Sequence, residues 1–177
     1  MKPATLPRIG VLLACAGMAQ AAPLDGKALD DAKGFLKKYL NHYNTGDAAL
    51  AQLYQDDAGI NLTVVNQNNQ TTRRVLNGKT WVRLLLESWG SDRTAKETFE
   101  LHRVTIGGNG PVLEVTGQRY SKTRCYWDNN YKMAIAKNGT QNYRITRETA
   151  LINHNNLCPQ PSLEEFLINQ NIRVAPK

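Results

Sequence analysis

Two arginines, a histidine and a few aromatic side chains are the residues of this sequence whose types could do chemistry. Arg119 shares its strand phase with Leu113, Val115 and Gly117, and Arg147 shares its phase with Tyr143, Ile145 and Leu151. Those phases send both guanidiniums toward an apolar face, where a charge is costly unless it is paired or turned to a wet pocket. The guanidinium fork suits a carboxylate or phosphate, so one expectation is a clamp for an anionic ligand. The competing expectation is internal pairing with a neighbour such as Glu114 or Glu148, or a slip of phase that leaves the arginines in solvent. His102 is a general acid/base candidate in principle, although a lone histidine on a strand is more often structural. Tyr39, Tyr43 and Trp81 complete the candidate ligand-binding set. Tyrosines on the apolar face of a helix are usually core residues with a satisfied hydroxyl.

Other chemistries lack their residues. The sequence holds no Gly-rich phosphate loop and no nucleophile elbow, and His42, His102 and His154 have no metal-ligand spacing. No metal and no cofactor is expected.

The N-terminus reads as an export signal. Lys2 and Arg8 lead into the apolar run Ile9–Met18, and Ala19-Gln20-Ala21 is a small-x-small cleavage site. The run is far short of the roughly 20 residues that span a bilayer, and no later stretch is apolar enough. Cys15 after Leu12-Leu13-Ala14 offers lipidation as the competing reading, but the alanine-rich site fits ordinary cleavage better. Cleavage after Ala21 leaves residues 22–177 for a periplasmic or secreted life. Losing Lys2 and Arg8 from 22 basic residues leaves 20 against 15 acidic ones, about +5. That charge is too dilute to argue for nucleic acid. Cleavage also leaves Cys125 and Cys158 as an even pair, which an oxidising compartment would join as a disulfide.

The elements that position the candidates follow from periodicity. Leu29, Ala32, Phe35, Leu36, Tyr39, Leu40 and Tyr43 recur at three and four, predicting a helix over 28–44 stopped by Gly46. Asp47 caps a short helix carrying Leu50, Leu53 and Tyr54. Strands are expected at 58–65 and 71–76 around a polar loop, then a helix over 79–89 stopped by Gly90. Further strands are expected at about 97–106, 112–125, 129–137 and 140–153. The first of these changes phase between Leu101 and Val104, which marks a bulge. Matching odd positions across Asn138-Gly139 predicts a three-residue loop with Gly139 left-handed, Met133 opposite Tyr143 and Tyr131 opposite Ile145. Ser162 to Glu165 is a capping box that opens a short C-terminal helix.

The stripe Phe35, Leu36, Tyr39, Leu40 and Tyr43 is followed by Asn44-Thr45-Gly46-Asp47, Leu50, Leu53-Tyr54 and Asp56-Asp57-Ala58. This order resembles the nuclear transport factor 2-like superfamily, which includes the SnoaL-like proteins, across roughly 28–153. The resemblance implies an α+β cone: a curved antiparallel sheet wrapped around the N-terminal helix, with three main helices and a pocket at the wide end. Together with the export signal and the C-terminal capping box, it gives expected domains of 1–21 as signal peptide, 22–161 as the nuclear transport factor 2-like cone, and 162–177 as a short helix and tail. The ketosteroid isomerase branch carries a general-base aspartate on the strand after Asp-Asp-Ala. Here Gly59–Val65 has no carboxylate, so nothing there could take a proton from carbon.

The reading therefore leans away from catalysis. It favours an exported binding or accessory protein whose pocket takes an anionic or apolar ligand. The alternatives are a small SnoaL-like hydrolase or isomerase using His102, Tyr39 or Tyr43 and an arginine, and a protein-binding inhibitor or immunity protein. The partner is an unknown small molecule or protein, and a homodimer through the sheet face is the assembly such a cone would permit. Intact-mass analysis of the exported chain should show a start at Ala22; a chain retaining Met1, or a diacylated Cys15, would overturn the export reading.

Overall fold

The computed structural model describes residues 24–91, 96–108, 111–137, 139 and 142–159. The expected leader, its cleavage site after Ala21 and the helix opened by Ser162 lie outside those residues. The chain runs α1 (Gly26–Thr45), a 3₁₀ segment (Ala48–Leu53), β1 (Tyr54–Val65), β2 (Thr71–Asn77) and α2 (Gly78–Ser91). It continues as β3 (Phe99–Gly107), β4 (Val112–Ser121), β5 (Tyr126–Lys137) and β6 (Tyr143–Asn153). One six-stranded curved sheet has the order β2-β1-β6-β5-β4-β3. Every neighbouring pair is antiparallel except β1 and β6, which run parallel.

Local chemistry sets the element ends. Gly46 closes α1 in the left-handed conformation (φ 68°), where its N–H caps the last carbonyls. The Asp47 carboxylate accepts the Ala49 N–H at 2.8 Å and starts the 3₁₀ segment. Asn77 ends β2 and also caps α2, accepting the Thr80 N–H at 2.8 Å. A side chain at Gly78 would overlap the Gln55 carbonyl oxygen, so glycine permits α2 to fold back onto β1. α2 passes through Gly90 to Ser91, one residue beyond the expected stop.

The apolar face of α1 lies on the concave side of the sheet. Phe35 meets Tyr143 edge-on at 6.3 Å, and Tyr43 meets Phe99 at 5.2 Å and Trp89 at 5.5 Å. The core also takes Ile60 and Leu62 from β1, Leu113 and Val115 from β4, and Met133 and Ile135 from β5. Burial of this kind supplies most of the drive to fold.

Two of the sheet's register shifts, in β3 and β6, decide which residues face inward. The bulge expected in β3 is present: register shifts between His102 and Thr105, with Arg103 at φ 50°. In β6 a second shift was not expected. Ile135 pairs with Ile145, but Ala134 pairs with Arg147, so Thr146 is the extra residue and inverts the alternation after it. Glu148 turns into the core and Arg147 turns out to solvent. The predicted hairpin is corrected by the same register. Gly139 is left-handed as expected (φ 45°), but Lys137 pairs with Tyr143, so the connection is longer than three residues. Met133 faces Glu148 rather than Tyr143, and Tyr131 lies beyond the paired stretch instead of facing Ile145.

The third correction concerns β4 and β5. β4 stops at Ser121, because a tight turn closes there with the Cys125 N–H donating to the Ser121 carbonyl at 2.8 Å. Cys125 (φ 56°) leads directly into β5 and is bonded to Cys158, with Cα atoms 4.8 Å apart. This bridge ties the chain after β6 to the β4–β5 turn, where Leu157 N–H also donates to the Arg124 carbonyl at 2.9 Å.

Where the β5–β6 ladder ends, side chains take over its work. The paired stretch stops at Lys132 and Thr149, yet Leu151 is satisfied. Its N–H donates to the Asp128 carboxylate at 2.7 Å, and its carbonyl accepts from the Arg119 guanidinium at 2.6 Å and the Tyr126 hydroxyl at 3.2 Å. Arg119 is 2% exposed, lies 3.9 Å from Asp128, and packs its guanidinium over Phe99 at 4.1 Å. Arg119→Met should therefore strand the Asp128 charge and lower stability by about 3–5 kcal/mol. Chemical denaturation checks this, and a loss under about 1 kcal/mol would show that other groups hold β6 in place.

Candidate functional site

The interior of the cone holds a carboxylate. Glu148 is 1% exposed and is reached from three elements. Tyr39 of α1 donates its hydroxyl to Oε1 at 3.0 Å, Tyr131 of β5 donates to the same oxygen at 2.9 Å, and Tyr54 of β1 donates to Oε2 at 2.5 Å. The Tyr39 and Tyr131 hydroxyls lie 3.4 Å apart, and Trp81 Nε1 lies 3.4 Å from the Tyr54 hydroxyl. Burial first, then the negative charge of Glu148, pushes the Tyr39, Tyr54 and Tyr131 phenols well above their ordinary range. These tyrosines are proton holders at neutral pH: they solvate the carboxylate and cannot readily act as bases.

An open pocket of about 380 Å³ lies beside this network, where α1 and β6 end. Its apolar wall is built from Tyr43, Trp81, Leu84, Leu85, Trp89 and Ile152. Lys96, Glu97, Arg124 and His154 bring charge and hydrogen-bonding groups to it. The Glu97 carboxylate accepts the Ser121 hydroxyl at 2.8 Å, and the Arg124 guanidinium donates to the His154 carbonyl. Glu148 is not part of the lining.

The expected site residues are therefore dispersed. Tyr43 and Trp81 line the pocket, while Tyr39 lies deeper, against Glu148. Arg119 points inward as its phase requires but is tied to Asp128 and Leu151. Arg147 does not face the cone: the extra residue at Thr146 turns it outward, beside Glu114, Thr116 and Lys132 on the convex face. His102 is also on the convex side, 5.0 Å from the Trp127 ring and 3.4 Å from Glu100. The two arginines thus form no shared clamp. Sequence reasoning missed Glu148 as the central acceptor, and missed Lys96, Arg124 and His154 as pocket residues. The adjacent pair Arg147-Glu148 was the available signal, since one of two successive strand residues must face inward.

Three-helix order, parallel β1–β6 pairing and a sheet curved around α1 can be compared with solved structures. An NTF2-like protein of unknown function from Pseudomonas putida KT2440 matches with a TM-score of 0.59 and 11% identity, covering 81% of this chain and 94% of that one. The fold is nuclear transport factor 2-like. A second NTF2-like protein of unknown function, from Shewanella oneidensis MR-1, matches with a TM-score of 0.54 and 16% identity over 70% of this chain and 98% of that one. Bd1075 of Bdellovibrio bacteriovorus matches with a TM-score of 0.53 and 15% identity over 70% of this chain and 41% of that one. No family model matches the sequence, and no curated protein matches it. At these identities the likeness concerns the NTF2-like fold alone. Among the described residues, no helix is long and apolar enough to cross a membrane.

The buried phenols make a pH prediction. Below the ordinary phenol pKa of about 10, folded and unfolded chains hold the same tyrosine protons. Above it the unfolded chain loses protons that the folded chain keeps, so stability falls as pH rises toward the elevated folded values. Each pH unit in that window should remove up to about 1.4 kcal/mol per such phenol. Denaturant midpoints measured between about pH 9 and 11 test this, with Tyr39→Phe expected to reduce the slope. A midpoint that stays constant over the window would contradict the buried network.

Proposed function

We propose that this chain is an exported binding or accessory protein whose pocket takes a small amphiphile: an apolar body with an anionic end. The observation that carries this reading is the composition of the pocket. Tyr43, Trp81, Trp89 and three aliphatic side chains offer an apolar wall, while Lys96 and Arg124 bring positive charge to it. Sites that hold small molecules commonly combine a largely apolar surface with a few convergent polar groups. The one carboxylate in the lining, Glu97, already accepts the Ser121 hydroxyl at 2.8 Å.

Two further observations support export and binding over catalysis. The Cys125–Cys158 bond is of a kind that persists in oxidising compartments. Glu148, the one buried glutamate among the described residues, has its oxygens occupied by three phenols, which leaves it poorly placed to attack or deprotonate a ligand in the pocket.

Dodecanoate is a suitable probe, because its chain fits an apolar wall and its carboxylate suits Lys96. Titration of the mature protein should change the fluorescence of Trp81 and Trp89 saturably. Lys96→Met should weaken dodecanoate binding about tenfold, the loss of one charged hydrogen bond, while dodecanol binding stays nearly unchanged. No saturable change, or equal dodecanoate binding by the variant, would remove the proposed ligand class.

A further inference from the structure

Arg124 and His154 line a second cavity as well as the tryptophan-walled pocket. This second space, of about 360 Å³, opens against the loop between β1 and β2, and Asn66, Gln67 and Asn68 complete its lining. The two cavities therefore meet at the same two residues. Their chemistries differ: one side offers aromatic and aliphatic surface, the other carboxamides.

The loop Asn66-Gln67-Asn68-Asn69-Gln70 divides its side chains between two tasks. Asn66, Asn69 and Gln70 hold its shape. The Asn66 side-chain oxygen accepts the Asn68 and Gln70 N–H groups, both at 2.9 Å, and its amide nitrogen donates to the Gln70 side-chain oxygen at 3.1 Å. Asn155, just after β6, donates to the Asn66 carbonyl at 3.2 Å and to the Asn69 side-chain oxygen at 2.8 Å. The His154 N–H donates to the Val65 carbonyl at 2.9 Å, so the loop is tied to the chain that follows β6. The side chains of Gln67 and Asn68 take no part in this, and among the described residues neither has a partner. A carboxamide offers two donors and an acceptor, and one carried on a fixed backbone suits the hydroxyls of a ligand.

Arg124 is fixed as well. Its N–H donates to the Ser121 hydroxyl at 3.2 Å, its carbonyl accepts the Leu157 N–H at 2.9 Å, and its neighbour Cys125 is bonded to Cys158. One terminal nitrogen donates to the His154 carbonyl, which leaves further N–H groups of the fork for an anion. An anion drawn there lies on the boundary between the cavities. A carboxylate would end the ligand at that boundary. A phosphodiester carries the ligand past its charge, with the apolar chain on one oxygen and a second substituent on another. We propose that the carboxamide cavity is a head-group site, and that the ligand is a single-chain amphiphile joined through a phosphodiester to a hydroxylated head. This inference rests on the amphiphile reading and adds the part of the ligand beyond its charge.

Two probes of equal chain and equal charge isolate the head. Dodecyl methyl phosphate carries the chain and the phosphodiester alone, and dodecyl glyceryl phosphate adds two hydroxyls. In tryptophan-fluorescence titrations below micelle-forming concentrations, the mature protein should bind the glyceryl probe about tenfold more tightly, the worth of one or two neutral hydrogen bonds. Gln67→Ala with Asn68→Ala should erase that preference and leave the methyl probe's affinity unchanged. Both side chains are exposed and unbonded, so this double variant should also keep the unaltered protein's melting temperature. Asn155→Ala, which unties the loop from outside the cavity lining, should reduce the preference without abolishing binding of the methyl probe. Equal affinity for the two probes, or a preference that survives the double variant, would overturn the head-group site and leave the amphiphile pocket standing. No saturable binding of either probe or of dodecanoate would overturn both.

Discussion

A carboxylate shut inside an apolar cone is the constraint around which this structure is organised. Glu148 faces the concave side of β6 with 1% of its surface exposed, and desolvating a charge there is expensive. The cost is offset only because three phenols converge on it from α1, β1 and β5. Hydrogen bonds to a charged acceptor are worth about 1.5–3 kcal/mol each, and moving α1 off the sheet would break the Tyr39 bond and open the Tyr54 and Tyr131 bonds to water. The network therefore does more than satisfy one side chain. It fixes the depth and rotation of α1 in the cone and joins the parallel β1–β6 pair to β5.

The bulge at Thr146 is what brings Glu148 inward, and it has consequences at both ends of the strand. Toward the hairpin, Tyr143 and Ile145 keep the original phase and pack beneath Phe35. Beyond the bulge the ladder with β5 ends at Thr149, and Leu151, paired with Thr63 of β1 on its other side, would be left without partners on the β5 side. Asp128, Arg119 and Tyr126 supply them. Arg119 is thus held by the need to satisfy a peptide group, a role in which its fork and flat face both serve. The same end of the molecule carries the disulfide and the pocket, so structural and functional demands meet within a few residues of Arg124 and His154.

The interior network also bears on what the NTF2-like fold does in this chain. The space that a cone offers at its centre is occupied by tyrosine rings, and the open pocket lies to the side of them, against α2. A ligand there meets tryptophan and leucine surfaces and the Lys96 and Arg124 charges, without touching Glu148. Fold alone leaves function open, and the NTF2-like proteins from Pseudomonas putida and Shewanella oneidensis are themselves of unknown function.

Much of the architecture was legible in the sequence, because local periodicity and capping depend on near neighbours. The stripe from Leu29 to Tyr43, the Asp47 cap, the β3 bulge and the Cys125–Cys158 pair all follow from spacing and residue type. The inward phase of Arg119 was legible for the same reason. The direction of Arg147 was not, because a single extra residue at Thr146 reverses every side chain beyond it. Nothing in the local string Ile145-Thr146-Arg147-Glu148 says whether strand alternation continues or slips. That choice belongs to the tertiary structure: three distant hydroxyls can satisfy a carboxylate at that depth, and the inward position takes Glu148 while Arg147 keeps its hydration outside.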